Sequence, residues 1–229
     1  MDTFKLKVLA CLIMLIDHTG AVLFPQHFYL RLIGRLAFPI FAFLIAKGYS
    51  YTHDLKKYML RLLIFAFISQ APFYYALKGA SSEIGLNIFF TLFLGLCAVY
   101  IYEKSKNPLG ILMVILISIS ASLLNTDYGF YGVLLIFLFY IFKDKLWSTL
   151  ISVISLNVIY MIYIYIFIYT KYFYIPAPTV RIFNECFSIL ALPLIFMYNG
   201  EKGRKLKWAF YIFYPLHLTI IYLISNYLI

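Results

Sequence analysis

The sequence predicts an all-α, polytopic transmembrane helical bundle: a single integral-membrane domain over residues 1–229, with about nine spans, its N-terminus in the cytoplasm and its C-terminus outside. Three observations predict it. Of the 229 residues, 64% are hydrophobic and 12% charged, whereas soluble domains are roughly half apolar and a quarter charged. Long apolar runs such as Ile111–Leu124 and Leu150–Tyr169 lack the strict alternation of barrel strands. The basic residues fall mostly between these runs, with a strong bias to one side.

A helix needs about twenty residues to cross roughly 30 Å of hydrocarbon. On that measure the spans lie at about 5–24, 31–50, 57–77, 86–103, 108–124, 129–143, 146–169, 182–198 and 207–228. The first resembles a signal peptide, with Lys5 and Lys7 ahead of an apolar run, but it carries Asp17-His18 and has no small-x-small cleavage site. It is therefore expected to be retained. The second contains Arg35 four residues before Pro39. Proline lacks an N–H and displaces the carbonyl four positions back, so a kink is expected beside the charge. Gln70-Ala71-Pro72 lies in the third span and Asn87 near the start of the fourth. The fifth and sixth are short and joined by Asn125-Thr126-Asp127-Tyr128, which reads as two spans or as a re-entrant pair. The ninth repeats the proline pattern in Tyr214-Pro215-Leu216-His217, where Pro215 frees the carbonyl of Tyr211.

Orientation follows from the positive-inside rule. Fourteen of the nineteen basic residues lie on the N-terminal side of this arrangement, grouped at Lys5/Lys7, Lys47 to Arg61, Lys104/Lys106, Lys143/Lys145 and Lys202 to Lys207. Five lie opposite: Arg31, Arg35, Lys78, Lys171 and Arg181. The formal charge of +10 is thus topogenic, and no nucleic-acid partner is expected, because phosphate neutralisation needs a wetted basic surface. Cys11, Cys97 and Cys186 have neither CxxC nor Cys/His spacing and read as small hydrophobes, so no metal is expected. The 22 Tyr and 23 Phe suit lipid-facing surface and interfacial anchoring. Phosphate-binding, dinucleotide, hydrolase and zinc-protease motifs are absent.

Function is sought among the polar residues inside the spans, since an ionisable group there costs about 2.5–3.5 kcal/mol on insertion scales. These are Asp17, His18, Arg35, Gln70, Asn87, Glu185 and His217, with Asp127 beside the fifth and sixth spans. At 1.5 Å per residue His18 lies roughly 20 Å and His217 roughly 15 Å from the cytoplasmic end, and Arg35 about 6 Å from the other. Convergence on a cavity in the outer half is expected. A histidine beside a carboxylate can take a proton from an amine or hydroxyl. Adjacent helical residues point about 100° apart, so Asp17 is free to pair with Arg35 instead of His18. The competing assignment is structural: an Asp17–Arg35 ion pair between helices, and a merely hydrogen-bonded His18. Gln70 stands equally between cavity lining and an interhelical hydrogen bond.

Six motifs in order carry a resemblance. Ile16-Asp17-His18-Thr19-Gly20, Gly34-Arg35-Leu36-Ala37-Phe38-Pro39, Ser69-Gln70-Ala71-Pro72-Phe73, Asn87-Ile88-Phe89-Phe90-Thr91-Leu92, Asp127-Tyr128-Gly129 and Tyr214-Pro215-Leu216-His217-Leu218 cover nearly the whole chain. Together they resemble the TraX family, known for membrane N-acetylation of conjugative pilin. The intramembrane histidine and the Pro-x-His are also similar to features of membrane acyltransferases that acetylate surface sugars. The resemblance implies an acetyl- or acyltransferase of a bacterial cytoplasmic (inner) membrane, using acetyl-CoA as donor without a metal. Its partners would be membrane lipid and an acyl acceptor, peptide or glycan. By the same resemblance His18 would be the base, Asp17 and Arg35 would orient it or the substrate, and His217 would be a second functional histidine. Arg35, Gln70, Asn87 and Asp127 are the candidate substrate-binding residues, the first three as oxyanion stabilisers. The rival function is a proton-coupled secondary transporter with its site at Asp17, His18 and Arg35, disfavoured because no inverted repeat is evident. A non-enzymatic scaffold would leave the buried ionisable residues without a task.

Overall fold

In a computed structural model the chain is described over residues 1–79, 84–105, 107–143, 145–172, 184–204 and 206–227. Among the described residues it is all-helical. Polar side chains begin the helices: Asp2 Oδ1 accepts from Lys5 N at 2.8 Å and starts α1 (Thr3–Val22). Asp54 Oδ1 accepts from Lys57 N at 2.9 Å and starts α4 (Leu55–Leu77). Asn107, followed by Pro108, starts α6 (Pro108–Leu123). Asp and Asn suit this position because their oxygens satisfy N–H groups that the first turn leaves without partners.

The expected second span is a broken helix, α2 (Phe28–Gly34) and α3 (Ala37–Tyr51), interrupted at Arg35–Leu36. Pro39 falls in the first turn of α3, where a missing N–H costs nothing. After α4 come α5 (Ile88–Ser105), α6, α7 (Gly129–Ile141) and α8 (Leu146–Tyr172). A 3₁₀ helix (Asn184–Leu190), α9 (Ala191–Phe196) and α10 (Lys207–Tyr227) complete the described elements. Among the described residues, five helical stretches are long and apolar enough to cross a membrane: 28–51 (α2 and α3 together), 55–77, 88–105, 146–167 and 208–227. The chain is a multi-pass membrane protein.

Of the eighth expected span, residues 184–198 are described. Its described part is a 3₁₀ helix running into six residues of α-helix, and Pro193 cannot donate the bond that would continue an α-helix back to Ile189. Lys106, Arg181 and Lys205 of the orientation count lie outside the described residues, as does the side chain of Glu185.

The core sits where α1, α3, α5, α7 and α10 meet, around Leu6, Phe38, Leu96, Ile136 and Leu218, each at most 1% exposed. Helices in lipid gain little from hydrophobic burial and associate by close packing. Gly132 permits one such approach, since a Cβ there would lie 2.5 Å from Thr91 Cγ2 on α5. A buried polar knot ties α7, α8 and the 3₁₀ helix together: Ser188 Oγ donates to Asn157 Oδ1 at 2.9 Å and lies 3.0 Å from Tyr131 Oη. At the end that carries Lys5 and Lys7, the first residues are sewn to the segment before α10, through the Met1 amino group to the Met197 carbonyl and Thr3 N to Glu201 O at 2.8 Å. Lys202 lies over the Tyr51 ring and Lys143 Nζ donates to Ser50 Oγ at 3.4 Å. Basic groups distant in sequence thus share one end of the bundle.

Candidate functional site

Asp17 and His18 are consecutive on α1, and the turn between neighbours sends them to different partners. Asp17 meets α2. Arg31 Nη1 donates to Asp17 Oδ2 at 2.6 Å and to the Asp17 carbonyl at 3.3 Å. The expected Asp17–Arg35 pairing is corrected to Asp17–Arg31, with Arg35 contributing its field from the helix break. Gly34 makes the contact possible, because a Cβ at that position would lie 1.9 Å from Asp17 Oδ1. That Oδ1 is buried and, among the described residues, has no hydrogen-bond partner.

His18 meets α10. Its Nδ1 lies 2.7 Å from His217 Nε2, and the two rings stack at 5.0 Å and 16°. His217 Nδ1 lies 2.8 Å from the carbonyl of Phe213, whose ring stacks on the far side at 4.7 Å. These contacts order the protons for neutral rings. A carbonyl only accepts, so His217 carries its hydrogen on Nδ1 and its Nε2 is an acceptor. His18 must then donate from Nδ1, which leaves its Nε2 as the lone-pair nitrogen. Both side chains are buried, at 7% and 4% exposed.

Asp17, His18, Arg31, Arg35, Asp127 and Tyr214 line one cavity of about 380 Å³. Its far wall is the pair of segments Ile84–Leu86 and Asn125–Tyr128, held by Leu86 N to Asn125 O and Asp127 N to Leu86 O, each 2.8 Å. The structure therefore brings together Asp17, His18, Arg35 and Asp127, with His217 directly behind His18. Two candidates fall elsewhere. Gln70 Oε1 accepts from Asn87 N at 3.0 Å and from Asn87 Nδ2 at 2.8 Å, and Gln70 Nε2 donates to Gly85 O at 2.9 Å. Asn87 Nδ2 also donates to Ala66 O at 2.7 Å, while its Oδ1 accepts from Phe89 N at 3.0 Å. Gln70 and Asn87, the other two candidate substrate-binding residues, have these polar atoms engaged in starting α5 and fastening it to α4, and neither is among the residues lining this cavity.

Arg31 and Tyr214 are the lining residues that sequence reasoning missed. The spacing of Arg31 and Arg35, four apart, and of Tyr214 and His217, three apart, carried the signal, since such pairs share a helical face. Tyr214 is 2% exposed and its ring lies 6.1 Å from that of His18 and 5.6 Å from that of His217. Among the described residues no group of three or more His, Cys, Asp or Glu is placed to hold a metal.

The family model described as TraX protein matches residues 3–225. The chain belongs to the TraX family. Among curated proteins, this TraX chain is 27% identical over 238 residues to the probable fimbrial assembly protein FimC, serogroup H1, of Dichelobacter nodosus, covering 96% of this chain and 94% of that protein. A second relative, an uncharacterized protein of Rickettsia prowazekii, is 34% identical over 100 residues, 44% of this chain and 37% of its own length. No solved structure matches. The His18–His217 contact joins the first and last of the six motifs that carried the resemblance.

Proposed function

We propose that this TraX-family chain is a membrane acyltransferase that moves an acetyl or acyl group from a coenzyme A thioester to an amine or hydroxyl of an exported or envelope acceptor. The observation that carries the reading is the His18–His217 pair, whose proton order leaves a basic nitrogen on a residue lining a polar cavity. His18 Nε2 takes the proton of the acceptor N–H or O–H as its heteroatom attacks the thioester carbonyl. The new C–N or C–O bond gives a tetrahedral oxyanion that Arg35, or Arg31 beside it, stabilises. Collapse breaks the C–S bond, and the thiolate recovers the proton from His18. During the step His18 is an imidazolium, and its Nδ1–H remains donated to His217 Nε2. Asp17 and Asp127 together balance Arg31 and Arg35 around this space, which leaves a polar, formally neutral cavity that suits an amine or hydroxyl acceptor.

The name of the Dichelobacter relative, a fimbrial assembly protein, supports a pilin-like peptide as one acceptor class, with envelope glycans as the other. The reading includes nine crossings, with the eighth completed by the stretch around the short 3₁₀ and α9 helices, an N-in, C-out orientation and the bacterial inner membrane. Gathering of basic groups at one end supports that orientation. Membrane lipid surrounds the bundle, and no nucleic acid takes part.

The test is acetyl transfer from labelled acetyl-CoA by the purified full chain, using amine and sugar acceptors, in wild type and His18→Ala. Label in the acceptor, lost in a His18→Ala variant of unchanged melting temperature, supports the reading. Acceptor uptake into vesicles driven by a proton gradient, with no labelled product, would replace it with the transporter built on Asp17, His18 and Arg35.

A further inference from the structure

A second cavity, of about 550 Å³, opens at the basic end of the bundle. Lys7 of α1, Lys47 of α3 and Arg61 of α4 line it, all half-buried, and Lys202 and Arg204 contribute from the segment before α10. Five cations converge from four parts of the chain, and no Asp or Glu is among the described lining residues. The remaining wall is apolar and aromatic, and the cations lie over rings: Lys7 over Phe210 at 5.4 Å and Arg61 over Tyr58 at 5.6 Å. Arg61 Nε is buried and, among the described residues, has no hydrogen-bond partner.

Five cations around one cavity whose described lining holds no Asp or Glu give it a positive potential that attracts a polyanion. We propose that this cavity binds a phosphate- or pyrophosphate-bearing molecule with a long arm, its anionic head held by Lys47, Arg61 and Lys7 and its arm directed along the apolar wall. The direction of the arm follows from the partition. Met14, Ile88 and Tyr214 line both this cavity and the one containing His18, so the two spaces meet back to back across a thin wall. An arm reaching that wall brings its end to the neighbourhood of His18 while the head stays at the basic end. The anion site stands without the acyl-transfer reading; naming coenzyme A as its occupant rests on that reading. An anionic lipid has the same chemistry, a phosphate head and a long arm.

The experiment measures saturation binding of coenzyme A to the full chain in phosphatidylcholine nanodiscs, for wild type, Arg61→Gln, Lys47→Gln and His18→Ala. Loss of about tenfold or more in affinity for each cation variant is expected, because each removes a charge-assisted hydrogen bond. His18→Ala should bind as wild type, and dephospho-coenzyme A should bind more weakly than coenzyme A. If coenzyme A does not bind but phosphatidic acid added to the nanodiscs raises the melting temperature of wild type and not of Arg61→Gln, the lipid is the occupant. Coenzyme A binding that neither cation variant weakens overturns the proposal while leaving acyl transfer intact, with its donor elsewhere. Binding that depends on the cations, in a protein that transfers no label, would instead sink the acyl-transfer reading alone. A wild type that binds neither probe overturns the site.

Discussion

His18 Nδ1 and His217 Nε2 stand 2.7 Å apart across 199 residues of sequence. The contact makes the first and last long helices a single chemical unit. Proton order within it is set from the α10 side, by the Phe213 carbonyl, so the basicity of a nitrogen on α1 depends on backbone geometry in α10.

His18→Ala should lower kcat by about 10²–10⁴-fold, the usual contribution of a positioned base. His217→Ala should also act mainly on kcat and not on KM, since it removes the acceptor of His18 Nδ1 without touching substrate. It should cost stability as well, about 1–3 kcal/mol for the buried donor left unmade. Steady-state kinetics with thermal denaturation of both variants separates these effects. Equal loss in KM and kcat for His217→Ala would place it in substrate binding.

Arg31→Gln leaves a carboxylate facing the cavity without its ion pair. A fully buried pair broken on one side costs about 3–5 kcal/mol, and the 33% exposure of the Arg31 side chain reduces this to roughly 1–2 kcal/mol. Adding Asp17→Asn should return part of the loss. Denaturation of the two single variants and the double gives the coupling directly. Additive single effects would show that the pair contributes no stability.

Gly34→Ala places a methyl 1.9 Å from Asp17 Oδ1 and must separate α2 from α1. A loss of about 1–3 kcal/mol is expected from such overpacking. The obstructing atoms include Asp17 Cβ, so the companion variant is Asp17→Gly, which removes all of them, and the double variant should be more stable than the sum of the two losses. A melting temperature for Gly34→Ala equal to that of wild type would mean that α2 yields freely.

Asn87→Ala should leave the apparent affinity for acceptor unchanged and lower the melting temperature. Its Oδ1 caps α5 and its Nδ2 serves Ala66 and Gln70, worth about 1–2 kcal/mol together. A KM effect at constant stability would return Asn87 to the substrate site.

The bilayer made much of this legible in the sequence. Apolar runs locate the five long helices because hydrocarbon imposes a length on them, and the cost of an intramembrane charge singles out Asp17, His18, Arg35 and His217 before any contact is known. The partner of Asp17 was not legible. Arg31 and Arg35 are one turn apart, and only the rotation at the break and the bare backbone of Gly34 decide between them. From composition Gln70 reads equally as cavity lining or an interhelical hydrogen bond and Asn87 as substrate-binding, although Asn immediately before an apolar run is itself a helix-start signal. The described part of the eighth expected span is a short 3₁₀ and α-helical pair, which hydropathy alone does not distinguish from one continuous helix.

The break at Arg35–Leu36 leaves α2 and α3 unequally anchored. Nine residues of α3 are buried, whereas α2 buries only Gly34 and leans on α1 through the Arg31–Asp17 bridge. Segments with few buried contacts open at a lower free energy than the whole fold. One wall of the cavity is therefore a short helix held along its seam with α1, where Leu30 packs on Gly20, Gly34 on Asp17, and Arg31 pairs with Asp17, so that wall answers to the seam and not to the bundle core.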